Sequence, residues 1–204
     1  MKKQLLRVLL VISFLTSAAA SLAQPKREFR AAWIQCVNGQ FMNMPAQTMQ
    51  NTLAHQRDML QQTGCNAIIF QVRAECDALY ANAKEPWSRF LTGEQGKAPT
   101  PLWDPLQWMI TECHKRGMEC QAWFVTFPVG TEKHVKEMGK RSVVRKHPKL
   151  CKRHNGEWYL DPGVPGTADY LLSLVKEIVE GYDIDGIHFD YIRYPEEAKK
   201  FPDG

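Results

Sequence analysis

The sequence predicts an α/β fold built on a parallel sheet, and three observations predict it. Short, nearly continuous apolar runs alternate with longer amphipathic runs. The connections that follow the apolar runs are long and rich in aromatic and charged residues, whereas those that precede them are tight and turn on a single glycine such as Gly64 or Gly117. Strands that are apolar on both faces belong in a parallel sheet covered by helices. Loops this asymmetric favour a (β/α) barrel over a doubly wound sheet, because a barrel gathers its chemistry on the strand-to-helix side. No GxGxxG or GxxxxGK[ST] run follows the first predicted strand, which argues against a nucleotide-binding sheet.

The elements follow in order. Residues 29–37 (FRAAWIQCV) read as the first strand, and residues 45–62 as a helix with Met49, Leu53, Met59 and Leu60 toward the core and Gly64 closing it. Residues 65–73 (CNAIIFQVR) give the second strand. The helix over 104–116 starts at an Asp104 cap followed by a proline, and presents Leu106, Met109, Ile110 and Cys113 on one side. Residues 118–127 (MECQAWFVTF) form the third strand. A helix over 167–182 turns Leu171, Leu172, Leu174, Val175, Ile178 and Val179 inward, and residues 186–191 form the fourth strand. A (β/α)8 barrel of the TIM type needs eight such units in about 250 residues. The four units here therefore read as its N-terminal half, and the chain as part of a longer frame.

Residues 1–23 carry a charged start, an apolar core over 8–15 and small residues ending Ser21-Leu22-Ala23, the order of a secretory signal peptide. That core is too short to span a bilayer. Export to the periplasm or the exterior is expected, with residues 24–204 as one barrel domain and no integral membrane segment after cleavage. Losing Lys2, Lys3 and Arg7 lowers the formal charge from +4 to +1, which leaves no basic field for nucleic acid. The six cysteines lack zinc spacing and read either as buried thiols or as one or two disulfides. The six histidines show no HExxH-like pairing, so no metal or other cofactor is expected.

The sharpest chemical signal is DIDGIHFDYIRYP at 183–195. Strand alternation sends Gly186, His188 and Asp190 to the lumen and Ile187, Phe189 and Tyr191 to the helices. Asp190 then stands at the C-terminal strand end, where a carboxylate can serve as nucleophile, general acid or stabiliser of an oxocarbenium-like transition state. The alternative is a buried ion-pair partner of Arg193 or of another strand's arginine. Asp185 reads as a turn residue. On the second strand Gln71, Arg73 and Glu75 alternate toward the lumen, with Asp77 following. Arg73 suits a sugar hydroxyl, a two-pronged bond to Asp190, or a purely structural pair. Glu75 or Asp77 suits a second catalytic carboxylate, but that carboxylate is expected on a later strand beyond residue 204, in which case this chain is inactive alone. Trp33 and Trp123 fall on lumen positions, as platforms or as core. Trp87, Trp103 and Trp158 lie in or beside the long loops and are the better candidates for a sugar platform. The basic run over 133–154 reads as a solvated helix face, or as a rim for an acidic polymer.

Five segments, FRAAWI, GCNAIIFQVRAECDALY, EPWSRFLTGEQG, DPLQWMITECHKRGMECQAWF and LDPGVPGTADYLLSLVKEIVEGYDIDGIHFDYIRYP, occur in order over essentially the whole remaining chain. Together they resemble the glycosyl hydrolase-like 10 family of exported bacterial proteins. The resemblance implies a (β/α)8 glycosidase acting on a polysaccharide or oligosaccharide, with relatives associated with bacterial cell-wall glycan. It also implies a site that includes Asp190, Arg73, Gln71 and His188, around which Trp33, Trp123, Tyr191, Arg193 and Trp87 are substrate-binding candidates. The chain departs from the family pattern in having Gln121 before Ala122-Trp123, and Tyr191 where many members carry a second aspartate. A non-catalytic glycan-binding barrel is the alternative reading.

Overall fold

A computed structural model of the chain describes residues 28–195, so the expected signal peptide lies outside the described residues. The chain runs β1 (Ala31–Ile34), α1 (Ala46–Gln62), β2 (Ala67–Arg73), α2 (Arg89–Thr92), α3 (Pro105–His114), β3 (Glu119–Val125), β4 (Pro128–Thr131), α4 (Glu132–Met138), α5 (Val143–Lys146), β5 (Cys151–His154), β6 (Glu157–Leu160), α6 (Thr167–Gly181) and β7 (Gly186–Asp190). The four strands expected from the apolar runs are present. They pair in parallel in the order β1-β2-β3-β7, with α1, α3 and α6 as the crossovers.

The main core lies between this sheet and its helices. Ile68, Phe70 and Val72 of β2 and Cys120, Ala122 and Phe124 of β3 meet Met49 and Leu53 of α1, Leu106, Met109 and Ile110 of α3, and Leu174 and Ile178 of α6. Asp104 caps α3 by accepting from the Gln107 amide at 3.0 Å, and its other oxygen accepts from the Ala81 amide and the Tyr182 hydroxyl. One carboxylate thus ties a helix start to the loop after β2 and to the end of α6.

Two helices differ from the expected facing. In α1 the buried stripe is Met49, Leu53 and Arg57, whereas Met59 is 52% exposed. Met59 is one residue before Leu60, which puts it roughly 100° off that stripe. Arg57 takes the core position because Asp58 and Glu112 pair with it. In α6 the inward residues are Leu174 and Ile178, while Leu172 and Val179 stand half exposed. They lie on a second stripe that the sheet does not cover.

The sheet is strongly curved. β1 and β7 sit at opposite ends of it, which in a flat sheet separates them by about 14 Å (three strand spacings of roughly 4.8 Å). Yet the Trp33 and His188 rings meet edge to face with centroids 5.5 Å apart. These residues and Trp123, which is level with His188, therefore share the concave face. Gly186 permits close packing there, since a β-carbon on it would meet the Gln121 side chain at 3.3 Å.

The connection after β3, expected as a loop, is a small second unit. Its antiparallel sheet, in the order β4-β6-β5, packs with α4 and α5 around Val129, Val135, Met138, Val143, Cys151 and Leu160. Its strands are four residues each, too short for a period to show. All six cysteines are free thiols, five of them buried, so the disulfide alternative is set aside.

Replacing Asp104 with alanine removes a cap and two further hydrogen bonds. We expect Asp104→Ala to lose about 2–4 kcal/mol of unfolding free energy, read as a lowered urea midpoint with an unchanged slope.

Candidate active site

The C-terminal end of the parallel sheet is organised around a buried arginine. The ladder between β2 and β3 slips between Gln71 and Arg73, and that irregularity brings Arg73 level with Phe124. Its guanidinium stacks 4.6 Å from the Phe124 ring centroid and is fully buried. Glu85 binds it with both oxygens, at 2.6 Å and 2.8 Å, and the Tyr170 hydroxyl of α6 donates to the same carboxylate. The remaining donors reach the Val125 and Thr126 carbonyls and the Cys76 sulfur. This corrects the expectation that Arg73 holds a sugar or fixes Asp190. All its donors are consumed below the mouth, and its role is to hold the loop after β2 against the end of β3.

Asp190 closes β7 on the concave face. Its Oδ2 accepts from the Trp123 indole N–H at 3.2 Å, and its Oδ1 accepts from the backbone N–H of Tyr191 at 2.7 Å. Arg193 approaches to 3.9 Å and stacks on the Tyr191 ring. Tyr191 was expected to continue the strand toward the helices. Instead the strand ends at Asp190, and Tyr191 adopts φ +51°, a left-handed conformation that costs a bulky residue energy and occurs mainly where surroundings enforce it. The turn leaves Tyr191 and Tyr194 on the surface of a cleft of about 390 Å3, whose other wall is Glu157 and Tyr159 of β6. His188 lies one step below Asp190 on the same face, against the edge of Trp33, which is 56% exposed.

Glu75, in the loop after β2, forms the second acidic position at this end. Arg89, the first residue of α2, donates to its Oε2 at 2.8 Å, and the His134 Nδ1 of α4 stands 3.2 Å from the same oxygen. Burial outweighs the pull of Arg89, and with the repulsion of Asp77 and Glu157 it pushes the Glu75 carboxyl up to about 7. A carboxyl that changes charge near neutrality is suited to giving and taking protons.

Three further expectations are corrected. Asp77 is completely buried; its Oδ1 accepts from the Ala74 and Glu75 amides and its Oδ2 from Gln95, so it shapes the loop and offers nothing to a substrate. Gln71 is 1% exposed, and its carbonyl accepts from the Cys36 amide and thiol, joining β2 to the end of β1. Trp87 packs against the main core, as does Trp103, while the Trp158 indole donates to Glu132. Asp185 fits its turn reading by accepting from the Cys120 amide and facing His114.

Sequence reasoning did not find Glu85, Arg89, His134, Glu157 or Tyr159. Glu85 leaves one trace, a lone acid in the Glu85-Pro86-Trp87-Ser88 stretch, but its partner is 12 residues away. His134 sits in a basic run that looks like a solvated face, and only the fold of the second unit turns it inward. Among the described residues, no group of three or more His, Cys, Asp or Glu is placed to hold a metal ion, and no helix is long and apolar enough to cross a membrane.

Carboxylates and aromatic rings thus gather at the C-terminal end of a curved parallel sheet in an α/β fold. The chain belongs to the glycosyl hydrolase-like 10 family, whose model matches residues 28–202. It is 36% identical over 191 residues to the glycosyl hydrolase YngK of Bacillus subtilis, covering 89% of this chain and 36% of that protein. It is 34% identical over 160 residues to the glycosyl hydrolase DigH of Escherichia coli, covering 74% of this chain and 36% of the relative. The chain thus spans about a third of the length of the curated relatives it matches. The fold is similar to that of a hypothetical protein from Ruminiclostridium thermocellum (TM-score 0.54, 19% identity, covering 82% of this chain and 78% of that one). It is also similar to an alpha-amylase from Geobacillus thermoleovorans (TM-score 0.52, 17% identity, 85% and 43% covered).

Two outcomes follow from this geometry. Glu85→Ala leaves a buried guanidinium unpaired and is expected to cost about 3–5 kcal/mol of stability, measured by urea unfolding at pH 7. Glu75 binds its proton more tightly folded than unfolded, so its contribution to stability is full below its ordinary value of 4.5 and is lost as pH rises through about 7. Glu75→Gln cannot ionise; its stability relative to the unsubstituted protein should therefore increase between pH 5 and pH 8, in parallel thermal or urea unfolding series.

Proposed function

We propose that this chain carries the first four β/α units of an exported (β/α)8 glycoside hydrolase that cleaves O-glycosidic bonds in a polysaccharide such as bacterial cell-wall glycan. The observation that carries the reading is the placement of Asp190. It lies at the C-terminal edge of a parallel strand, on the concave face, with both oxygens oriented by fixed N–H donors and an aromatic cleft beside it. A carboxylate so held can stabilise positive charge developing at an anomeric carbon or attack it, because its orientation is set before the substrate arrives. Two apolar margins support the eight-unit barrel. Phe29, Val37 and Met59 are exposed toward one end of the sheet and Leu172, Val179 and Phe189 toward the other, where further β/α units would cover them. The signal-peptide pattern of residues 1–23 supports export to the periplasm or beyond.

Asp190→Asn, made in the full-length gene product, is the test. We expect reducing-sugar release to fall by on the order of 10²–10⁴-fold while glycan binding, followed by co-sedimentation, persists. A wild-type protein that binds glycan and releases no sugar would establish the non-catalytic binding barrel instead. Trp123→Phe keeps the ring and deletes the indole donor, and should lower the rate by about fivefold, the worth of one hydrogen bond of about 1 kcal/mol.

A further inference from the structure

The second unit and α6 enclose a cavity of about 790 Å3 that shares no lining residue with the cleft beside Asp190. One wall is the stretch from α5 to β5, with Lys146, Lys149 and Leu150. The other is the start of α6, with Asp169 and Tyr170, and Lys84 of the loop after β2 also lines the space. The Lys84 ammonium donates to the Ser173 carbonyl at 2.8 Å, and Lys146 donates to the Lys84 carbonyl at 3.3 Å, so two cationic heads are held at the wall. Among the described residues no carboxylate pairs with Lys84, Lys146 or Lys149, whereas Lys97, Lys115, Lys136 and Lys152 each have one. Three ammonium groups against the single carboxylate of Asp169 leave the cavity with a net positive charge.

This space is not the margin that further β/α units would cover. Asp169, Tyr170 and Ser173 lie roughly 120° around the α6 axis from Leu172 and Val179, the exposed apolar stripe of that helix. Tyr170 is also fixed from two sides. Its hydroxyl donates to Glu85 at 2.8 Å, and the His147 ring packs on it with centroids 5.3 Å apart. A ring held in this way offers an apolar surface with little ordering left to be done on binding.

We propose that this cavity is a second saccharide site, which takes a carboxylate-bearing segment of an acidic glycan chain. The lysines meet the carboxylates, Asp169 accepts from sugar hydroxyls, and Tyr170 and Leu150 pack against the C–H faces of the rings. Lysines spread over two walls suit single charges repeated along a chain, and Asp169 beside them repels a doubly charged phosphate ester. The inference adds to the hydrolase reading and does not require Asp190 to be catalytic. Both walls lie on the C-terminal side of the parallel sheet, so a polymer held here keeps its other segments near the mouth and raises their effective concentration.

The test uses the full-length gene product with an oligogalacturonate and its methyl ester, which has the same rings without the charges. In isothermal titration the acid should bind at least about tenfold more tightly than the ester, and its affinity should fall as salt rises. Lys146→Gln combined with Lys149→Gln, both at exposed positions, should weaken binding of the acid by about tenfold and leave the thermal unfolding midpoint unchanged. Lys149→Glu alone should weaken it as well, and Asp190→Asn should leave it in place. Equal affinity for acid and ester, or unchanged affinity in the double variant, overturns the proposal. Preference for a phosphorylated mannan over the oligogalacturonate overturns the carboxylate assignment. Binding lost in Asp190→Asn and kept in the lysine variants places the acidic sugar in the mouth, which refutes the second site and leaves the hydrolase reading standing. Carboxylate-dependent, lysine-dependent binding in a protein that releases no sugar supports the site and refutes only the hydrolase reading.

Discussion

Burying the Arg73 guanidinium obliges the fold to satisfy five N–H groups in one place, and the elements that do so define the mouth of the sheet. Glu85 comes from the loop after β2, Val125 and Thr126 from the end of β3, Cys76 from the turn next to the arginine, and Tyr170 joins through Glu85 from α6. Each is drawn in because an unpaired buried charge is far more costly than the geometry needed to pair it. The loop is thereby anchored with Glu75 on its far side, while the Thr126 amide donates to the Asp190 carbonyl and sets β7 beside β3. The two carboxyl groups of the site are placed by an ion pair that touches neither.

The two carboxyls have different surroundings. Asp190 accepts an indole N–H and a backbone N–H beside an open cleft. Glu75 sits under the second unit, where lost solvent dominates. Environments that treat two acids differently allow one to act as a base or nucleophile and the other as an acid. The inserted β4-β6-β5 unit brings His134, Gly130 and Glu157 to the Glu75 side.

Much of the fold was legible in the chain. Apolar runs longer than a turn, the Asp104-Pro105 cap and single glycines at Gly64 and Gly117 have local causes, and the structure places strands and helices where those signals fall. Asp190 was legible too, since strand alternation and position at a strand end are both local. The errors share one physical origin. Arg73 and Asp77 are chemically apt for a site, but whether such a group meets substrate or protein depends on residues that are distant in sequence or on backbone amides that only the folded loop presents. Met59 was misplaced because α1 gave a core position to Arg57, whose charge is paired by Asp58 beside it and by Glu112, which arrives from α3.

By itself the sequence determined the order of the four parallel strands and their crossover helices, the side on which the long loops collect and the family to which the chain belongs. These follow from periodicity, capping and motif order, all of which are written along the backbone. Only the tertiary structure decided which polar residues remain available. Sheet curvature brings Trp33 to His188, a slip in one ladder takes Arg73 out of the mouth, and the folding of a basic stretch carries His134 to Glu75. The availability of a charged side chain is set by desolvation and by partners supplied from elsewhere in the fold, and those are properties of the packed molecule that no local pattern encodes.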